Sequence, residues 1–252
     1  MRIDINCDLG ESFGIYHLGE DDAVLPHITS ANIACGFHAG DPVVARATIA
    51  RARRLGVAVG AHPGFPDLAG FGRREMHASP REVEDLVLYQ VAALGGIASA
   101  EGVRLQHVKP HGALYNMACR EASLASAIAR AVAAYDVSLI LFGLPGSALL
   151  EAGRAAGLRV AAEGFADRSY EPDGSLTPRT RPGAVIHDVG EGVRRAVRLA
   201  AEHAIEAVDG STLRLEVATI CVHGDTPGAA ERAARLRAGL DAAGVRVVAL
   251  GA

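Results

Sequence analysis

The feature that most constrains this chain is an alternation of two patterns. Short apolar runs at 2–7, 31–35, 57–61, 105–109, 138–142, 158–163, 217–222 and 245–250 read as strands. They are separated by longer segments with helical character near 42–55, 80–101, 121–134, 145–156, 190–207 and 227–243. Strand-then-helix repetition builds a parallel sheet, because two parallel neighbours need a crossover of helix length. At 252 residues the chain fits one α/β unit, and the expectation is a single (β/α) barrel domain over 1–252 with seven or eight strands. A doubly wound open sheet is the alternative. The first strand–helix joint lacks G-x-G-x-x-G, which disfavours a dinucleotide-binding version of it.

Local signals support the helix boundaries. Asp41 can cap a helix whose first turn holds Pro42 and whose end is marked by Gly56. Ser79 and Glu82 have capping-box spacing. Two irregular stretches, 8–29 and 163–183, interrupt the repeat, and loops of that length in such folds usually build the active site.

Composition narrows the function classes. Half of the residues are hydrophobic and only 4% are aromatic, so the core must be Ala, Val, Leu and Ile. A net charge of −4 argues against a nucleic-acid groove and a basic membrane patch. The start, MRIDINCDLG, has no apolar signal core and no run reaches the ~18 apolar residues of a span, so a cytoplasmic location is expected. Cys7, Cys35, Cys119 and Cys221 are far apart and read as free thiols. The chain has 24 arginines and a single lysine, Lys109. Coding bias accounts for the arginines; the exception points to a position that needs an ammonium with an adjustable pKa.

The strands carry polar residues on one face. Side chains alternate, so in RIDINCDL the residues Ile3, Ile5, Cys7 and Leu9 share one side, and Asp4, Asn6 and Asp8 the other. If the apolar side meets the helices, the acidic side points into the barrel, where buried carboxylates need partners. Asn32 leads by parity toward His38. His62 follows the third strand, His107, Lys109 and His111 share a face, Glu163 closes the sixth strand, and Thr219, Cys221, His223 and Asp225 share another face. Barrel enzymes place their chemistry at strand C-terminal ends, so these residues define a polar site. Bland readings apply elsewhere: His17, His27, His77 and His203 are solvated, His187 is buried and satisfied, Arg73 and Arg74 form a surface pair or an ordered loop, Met117 and Cys119 pack, and Asp41 caps.

Two chemistries fit. A catalytic ion could be held by Asp8, His38 and His62 and activate water, although no close-spaced signature such as HExxH is present. Without an ion, Lys109 could stabilise charge on a carbonyl oxygen while Asp8, Glu163 or a histidine acts as base. Both are hydrolysis at a carbonyl. No G-x-S-x-G elbow and no P-loop occurs.

The blocks DINCDLGESFGIY, SANIACGFHAGDP, GAHPGFPDLAGFGRR, YQVAAL, VKPHGALYN, FADRSYEPDGSLTPR and CVHGD, in order from residue 4 to 225, resemble the LamB/YcsF family. The resemblance implies a seven-stranded β/α barrel related to polysaccharide deacetylases. It implies ATP-dependent opening of 5-oxo-L-proline to L-glutamate, with ATP and Mg2+ as co-substrate and with the 5-oxoprolinase subunits B and C as partners. In that reading Lys109, with one or more of His38, His62, His111 and His223, binds and polarises the activated lactam. Asp8 or Glu163 activates water, and Asn6, Asn32, Arg168 and Asp225 orient the substrate. The alternatives are a stand-alone metal-dependent amide or N-acetyl hydrolase and a non-catalytic subunit that binds 5-oxoproline.

Overall fold

In the computed structural model, which describes residues 1–225 and 228–251, the strands are β1 (Arg2–Leu9), β2 (Ser30–Ala34), β3 (Ala58–His62), β4 (His107–Val108), β5 (Ile140–Gly143), β6 (Arg159–Phe165), β7 (Ala204–Glu206), β8 (Thr212–Arg214), β9 (Thr219–His223) and β10 (Arg246–Val247). The helices are α1 (Asp21–Val24), α2 (Pro42–Leu55), α3 (Pro80–Ala100), α4 (Gly112–Arg120), α5 (Ala122–Tyr135), α6 (Ala148–Ala155), α7 (Val189–Glu202) and α8 (Ala229–Ala242). The start expected for the last helix, Pro227, lies outside the described residues, as does Ala252.

β1 to β6 pair in sequence, all parallel, and β9 pairs with both β6 and β1. The sheet therefore closes as a barrel of seven parallel strands. Of the two expected strand counts, seven is the one observed. The eighth expected strand shrinks to β10, which pairs only Arg2 and Ile3. From Asp4 onward β9 occupies that edge of β1, so no backbone is left for β10 to meet. β7 and β8 form an antiparallel hairpin apart from the barrel.

The parity reading of β1 holds. Ile3, Ile5, Cys7 and Leu9 are buried in the main core with the helices, while Asp4, Asn6 and Asp8 are buried on the other side. The barrel interior is itself divided. Ile140, Phe142 and Ala161 form a separate small apolar cluster, with Ala218 and Leu250 packed on it. Above it the interior is polar.

Helix boundaries follow their caps. The Asp41 carboxylate accepts from the Val43 and Val44 amides, and Gly56 ends α2 in the left-handed region. Ser79 and Glu82 form the capping box of α3. α3 is long and apolar enough to cross a membrane by length and composition, yet its Val83, Val87, Val91 and Leu94 are buried in the barrel's core and Arg81, Glu84 and Asp85 form ion pairs on its outside. The segment expected as helix over 190–207 stops at Glu202, because His203 turns left-handed (φ 55°) and the chain enters β7. His187, expected buried, is exposed, and its carbonyl accepts from Arg232.

Candidate active site

The strand C-terminal ends converge on Lys109. β4 is short, but the Lys109 amide donates to Ala61 O (3.0 Å) and the His111 amide to Pro63 O (2.8 Å), which ties the β4–α4 joint to the exit of β3. Lys109 is 3% exposed. Its Nζ lies 2.9 Å from Asp8 Oδ1, 2.9 Å from Glu163 Oε1, 2.9 Å from Cys221 Sγ and 3.2 Å from Asn6 Oδ1. Burial alone pushes its pKa down; Asp8, Cys221 and Glu163 outweigh burial and hold it well above the usual lysine value. The single lysine is thus a fixed cation and not the adjustable amine that its isolation suggests. Burial likewise raises Asp8, but the facing His62 and Lys109 prevail and hold its carboxyl well below the ordinary range.

A ladder of side chains below holds this pair. Asn32 Nδ2 donates to Asn6 Oδ1 (2.7 Å) and Asp8 Oδ1 (2.8 Å), and His107 Nε2–H donates to Asn32 Oδ1 (2.7 Å). Asn6 Nδ2 donates to Thr219 Oγ1 (2.7 Å), whose hydroxyl donates to Asp4 Oδ2 (2.5 Å). His107 stacks on Phe142, and burial, then Lys109, depress its pKa to about 3, so it stays neutral. Asn6 and Asn32, expected to orient substrate, are fully buried with their amides hydrogen-bonded, an arrangement that positions Asp8 and Lys109.

Beside this pair lies a histidine cluster. His62 Nδ1 meets Lys109 O (2.6 Å) and its Nε2 faces His111 Nδ1 (3.0 Å) and Asp8 Oδ2 (3.4 Å). His111 Nε2 meets Phe71 O (2.8 Å). His38 stacks face to face on His111 at 3.8 Å, and Glu11 Oε1 lies 3.5 Å from His38 Nε2. Burial depresses the pKa of His38 and of His111 well below the histidine value, and burial, then Asp8, raises Glu11 well above the glutamate value. The small residues around His38 now have a reason. Gly72 sits at φ +61°, and a Cβ there would lie 2.7 Å from His38 Cβ and 2.9 Å from His111 Cδ2. A Cβ on Gly64 would lie 2.7 Å from His38 Nδ1. Gln90 on α3 holds Gly64 by both its amide and its carbonyl, at 2.9 Å each.

On the opposite wall His223 Nδ1 lies 2.9 Å from both Asp167 oxygens. Since a carboxylate accepts, Nδ1 carries the hydrogen, and in the neutral ring Nε2 is the lone-pair nitrogen. Burial raises Asp167, but His223 outweighs it and lowers its pKa. The His223 ring packs along Phe165 at 5.8 Å.

A cavity of about 860 Å³ opens over this floor and is lined by Asp8, His62, Lys109, His111 and His223, with Arg73, Arg168 and Arg179 among its other walls. Arg168 lines the cavity and also braces it: its guanidinium donates to Ala184 O (3.2 Å) and Thr177 O (2.6 Å), tying the 165–185 loop together. Asp225 pairs with Arg73 Nη2 at 2.6 Å, beside the cavity and not in its lining. Arg74 instead pairs with Asp67.

Of the expected residues, Asp8, Lys109, Glu163, His62, His111 and His223 meet in one region, with His38 directly behind His111. The proposed ion ligands divide: His38 and His62 join Glu11 and His111, whereas Asp8 is committed to Lys109. Sequence reasoning misses Glu11, Asp167 and Tyr115, whose buried hydroxyl faces Glu163. Glu11 and Asp167 lie inside the blocks DINCDLGESFGIY and FADRSYEPDGSLTPR, so a signal for them is present in the sequence.

Fold and site define a class, a closed β/α barrel with an ionised polar pit at its mouth. The chain belongs to the LamB/YcsF family, whose model matches residues 3–252. It is 56% identical over 247 residues to a Chloroflexus aggregans protein named as the A subunit of 5-oxoprolinase, covering 98% of each chain. It is 55% identical over 249 residues to the protein of the same name in Tolumonas auensis, covering 99% of each. Its fold is similar to that of a solved structure, the "Lactam Utilization Protein" from Thermus thermophilus, with TM-score 0.94 and 50% identity, covering 99% of this chain and 100% of that one.

Proposed function

We propose that this chain is the A subunit of a cytoplasmic ATP-dependent 5-oxoprolinase, which with subunits B and C opens the lactam of 5-oxo-L-proline to L-glutamate. The observation that carries the reading is the buried Lys109 cation between Asp8 and Glu163 at the floor of the cavity. It is supported by the names of relatives matched end to end.

A lactam is a stable amide, and transfer of a phosphoryl group from ATP to its oxygen makes the ring carbon a better electrophile. The oxygen of one water then bonds to that carbon and the C–N bond breaks as a proton reaches the nitrogen, leaving an acyl phosphate; a second water cleaves this to the carboxylate of L-glutamate and inorganic phosphate. Lys109 faces the developing negative charge, a role in which a preorganised cation lowers the barrier. Of the groups expected as base, Asp8 is the weakest because its neighbours keep it ionised. His223, with its tautomer set by Asp167, suits the task best. Arg73 and Arg179 give the cavity mouth positive charge for the substrate carboxylate.

The test is 5-oxoproline and ATP turnover with the chain alone and then with subunits B and C. Coupled glutamate formation only in the complex supports the reading. ATP-independent amide hydrolysis by the chain alone would replace it with the deacetylase-type alternative. Full turnover with Glu163→Gln and His223→Asn would leave a purely binding role.

A further inference from the structure

Two backbone carbonyls fix the hydrogens of two facing histidines. His62 Nδ1 lies 2.6 Å from Lys109 O and His111 Nε2 lies 2.8 Å from Phe71 O. A carbonyl only accepts, so each of these nitrogens carries its hydrogen. In neutral rings the remaining nitrogens, His62 Nε2 and His111 Nδ1, are both lone pairs, yet they stand 3.0 Å apart. Bare lone pairs at that distance repel, and something positive must lie between or beside them.

The neighbours make the same demand. His38 is 1% exposed, and among the described residues neither of its ring nitrogens has a hydrogen-bond partner; Glu11 Oε1 is buried and has none among them either. Glu11 Oε1 is 3.5 Å from His38 Nε2 and 3.9 Å from His111 Nδ1. One ligand atom from each of Glu11, His38, His62 and His111 lies within 4.8 Å of the other three. An extra proton on His62 would bridge to His111 but would leave His38 and Glu11 as they are. One ion serves all four.

We propose that Glu11, His38, His62 and His111 bind a single divalent transition-metal ion of the Zn2+ class. Three imidazoles and one carboxylate suit Zn2+ or Co2+, whereas Mg2+ and Ca2+ take oxygen ligands. Ligands about 2.0–2.2 Å from such an ion stand roughly 3–3.5 Å apart, close to the separations here. The Lys109 and Phe71 carbonyls act as the outer partners that fix the ligand rings. His38 is parallel to His111 within 3°, so its ring tilts when its lone pair turns to the shared centre. His62 and His111 line the cavity, which gives the ion a way in. The other close group, Asp8, Cys221 and His223, needs no ion, because the Lys109 ammonium stands 2.9 Å from both Asp8 Oδ1 and Cys221 Sγ.

The proposal does not depend on the 5-oxoprolinase reading, and its readout is metal uptake. The full chain, freed of metal by chelator and carrying no polyhistidine tag, is titrated with Zn2+ and with Co2+ by calorimetry and elemental analysis, and the Co2+ form is examined for visible d–d bands. The expected result is one equivalent of ion, bands of a low-symmetry nitrogen–oxygen site, and affinity reduced at least about tenfold in both Glu11→Gln and His62→Ala. Far-UV circular dichroism establishes that each variant is folded; Glu11→Gln, which keeps size and shape, carries the test if His62→Ala is not. Failure to take up a stoichiometric ion overturns the proposal, as does affinity unchanged in folded Glu11→Gln. An N–H···N bridge between His62 and His111, seen by 15N NMR in chain that takes up no ion, would assign the site to a shared proton instead.

Discussion

Lys109→Met tests the central ion network most directly. The substitution keeps the length of the side chain and removes the charge that lies 2.9 Å from both Asp8 and Glu163. Breaking a buried pair by removing one partner costs about 3–5 kcal/mol. Two carboxylates lose their cation here, so the upper end, about 5 kcal/mol, is expected. For a chain of this size each kcal/mol lowers Tm by about 2–4 °C, which gives a drop of roughly 10–20 °C. Loss of a preorganised charge at the reacting oxygen lowers kcat by about 10²–10³. The two effects separate in the double variant Asp8→Asn, Lys109→Met. Removing both charges leaves a smaller buried penalty, so the double variant is more stable than Lys109→Met alone. Its activity stays low. The assay is ATP-coupled glutamate formation in the complex with subunits B and C, at a temperature where circular dichroism shows each variant folded. Turnover close to that of the wild type in folded Lys109→Met would refute the catalytic argument. A Tm equal to the wild-type value would refute the energetic one.

Further outcomes follow from the same geometry. Asp167→Asn removes the acceptor that fixes the His223 tautomer and lowers kcat by about 10²-fold or more, with an altered acid limb in the pH–rate profile; an unchanged profile would remove His223 as base. Gly72→Ala places a methyl 2.7 Å from His38 Cβ at a left-handed position and costs about 1–3 kcal/mol in urea unfolding. Gly56→Ala, also left-handed but with nothing among the described residues within 4 Å of the added Cβ, costs about 1 kcal/mol and serves as the control. His107 is buried neutral with a pKa of about 3. The unfolded chain therefore binds the extra proton first as pH falls, and native stability drops below about pH 6.5. Between about pH 7.5 and 5.5 this one group removes about 1.4 kcal/mol, and His107→Gln shows a correspondingly flatter loss.

Much of the barrel can be read from short-range pattern. RIDINCDL gives both faces of β1, because alternation is a property of the strand itself. The extent of pairing is not local. The run 105–109 pairs as a strand only at His107 and Val108, since its length depends on the neighbours that β3 and β5 offer. The run 245–250 shrinks because β9 already occupies the edge of β1. The segment 190–207 carries a helical pattern to its end, but His203 breaks it through a backbone conformation that histidine rarely adopts.

The site divides along the same line. Residues on strands or at their ends, such as Asp8, Lys109 and His223, are visible in the sequence because parity places them. Glu11 lies two residues past the last residue of β1, in a stretch without periodicity, and reaches the histidines only because the chain turns there. The Gly10 amide, donating to Asp21 Oδ2 at 2.9 Å, holds that turn. The tautomers of His62 and His111 are further out of reach, since they are set by carbonyls of Lys109 and Phe71, 47 and 40 residues away along the chain. A sequence can place imidazoles at one end of a barrel. Which nitrogen of each is bare depends on backbone that arrives from elsewhere, and that distinction decides whether these rings pass a proton or hold an ion.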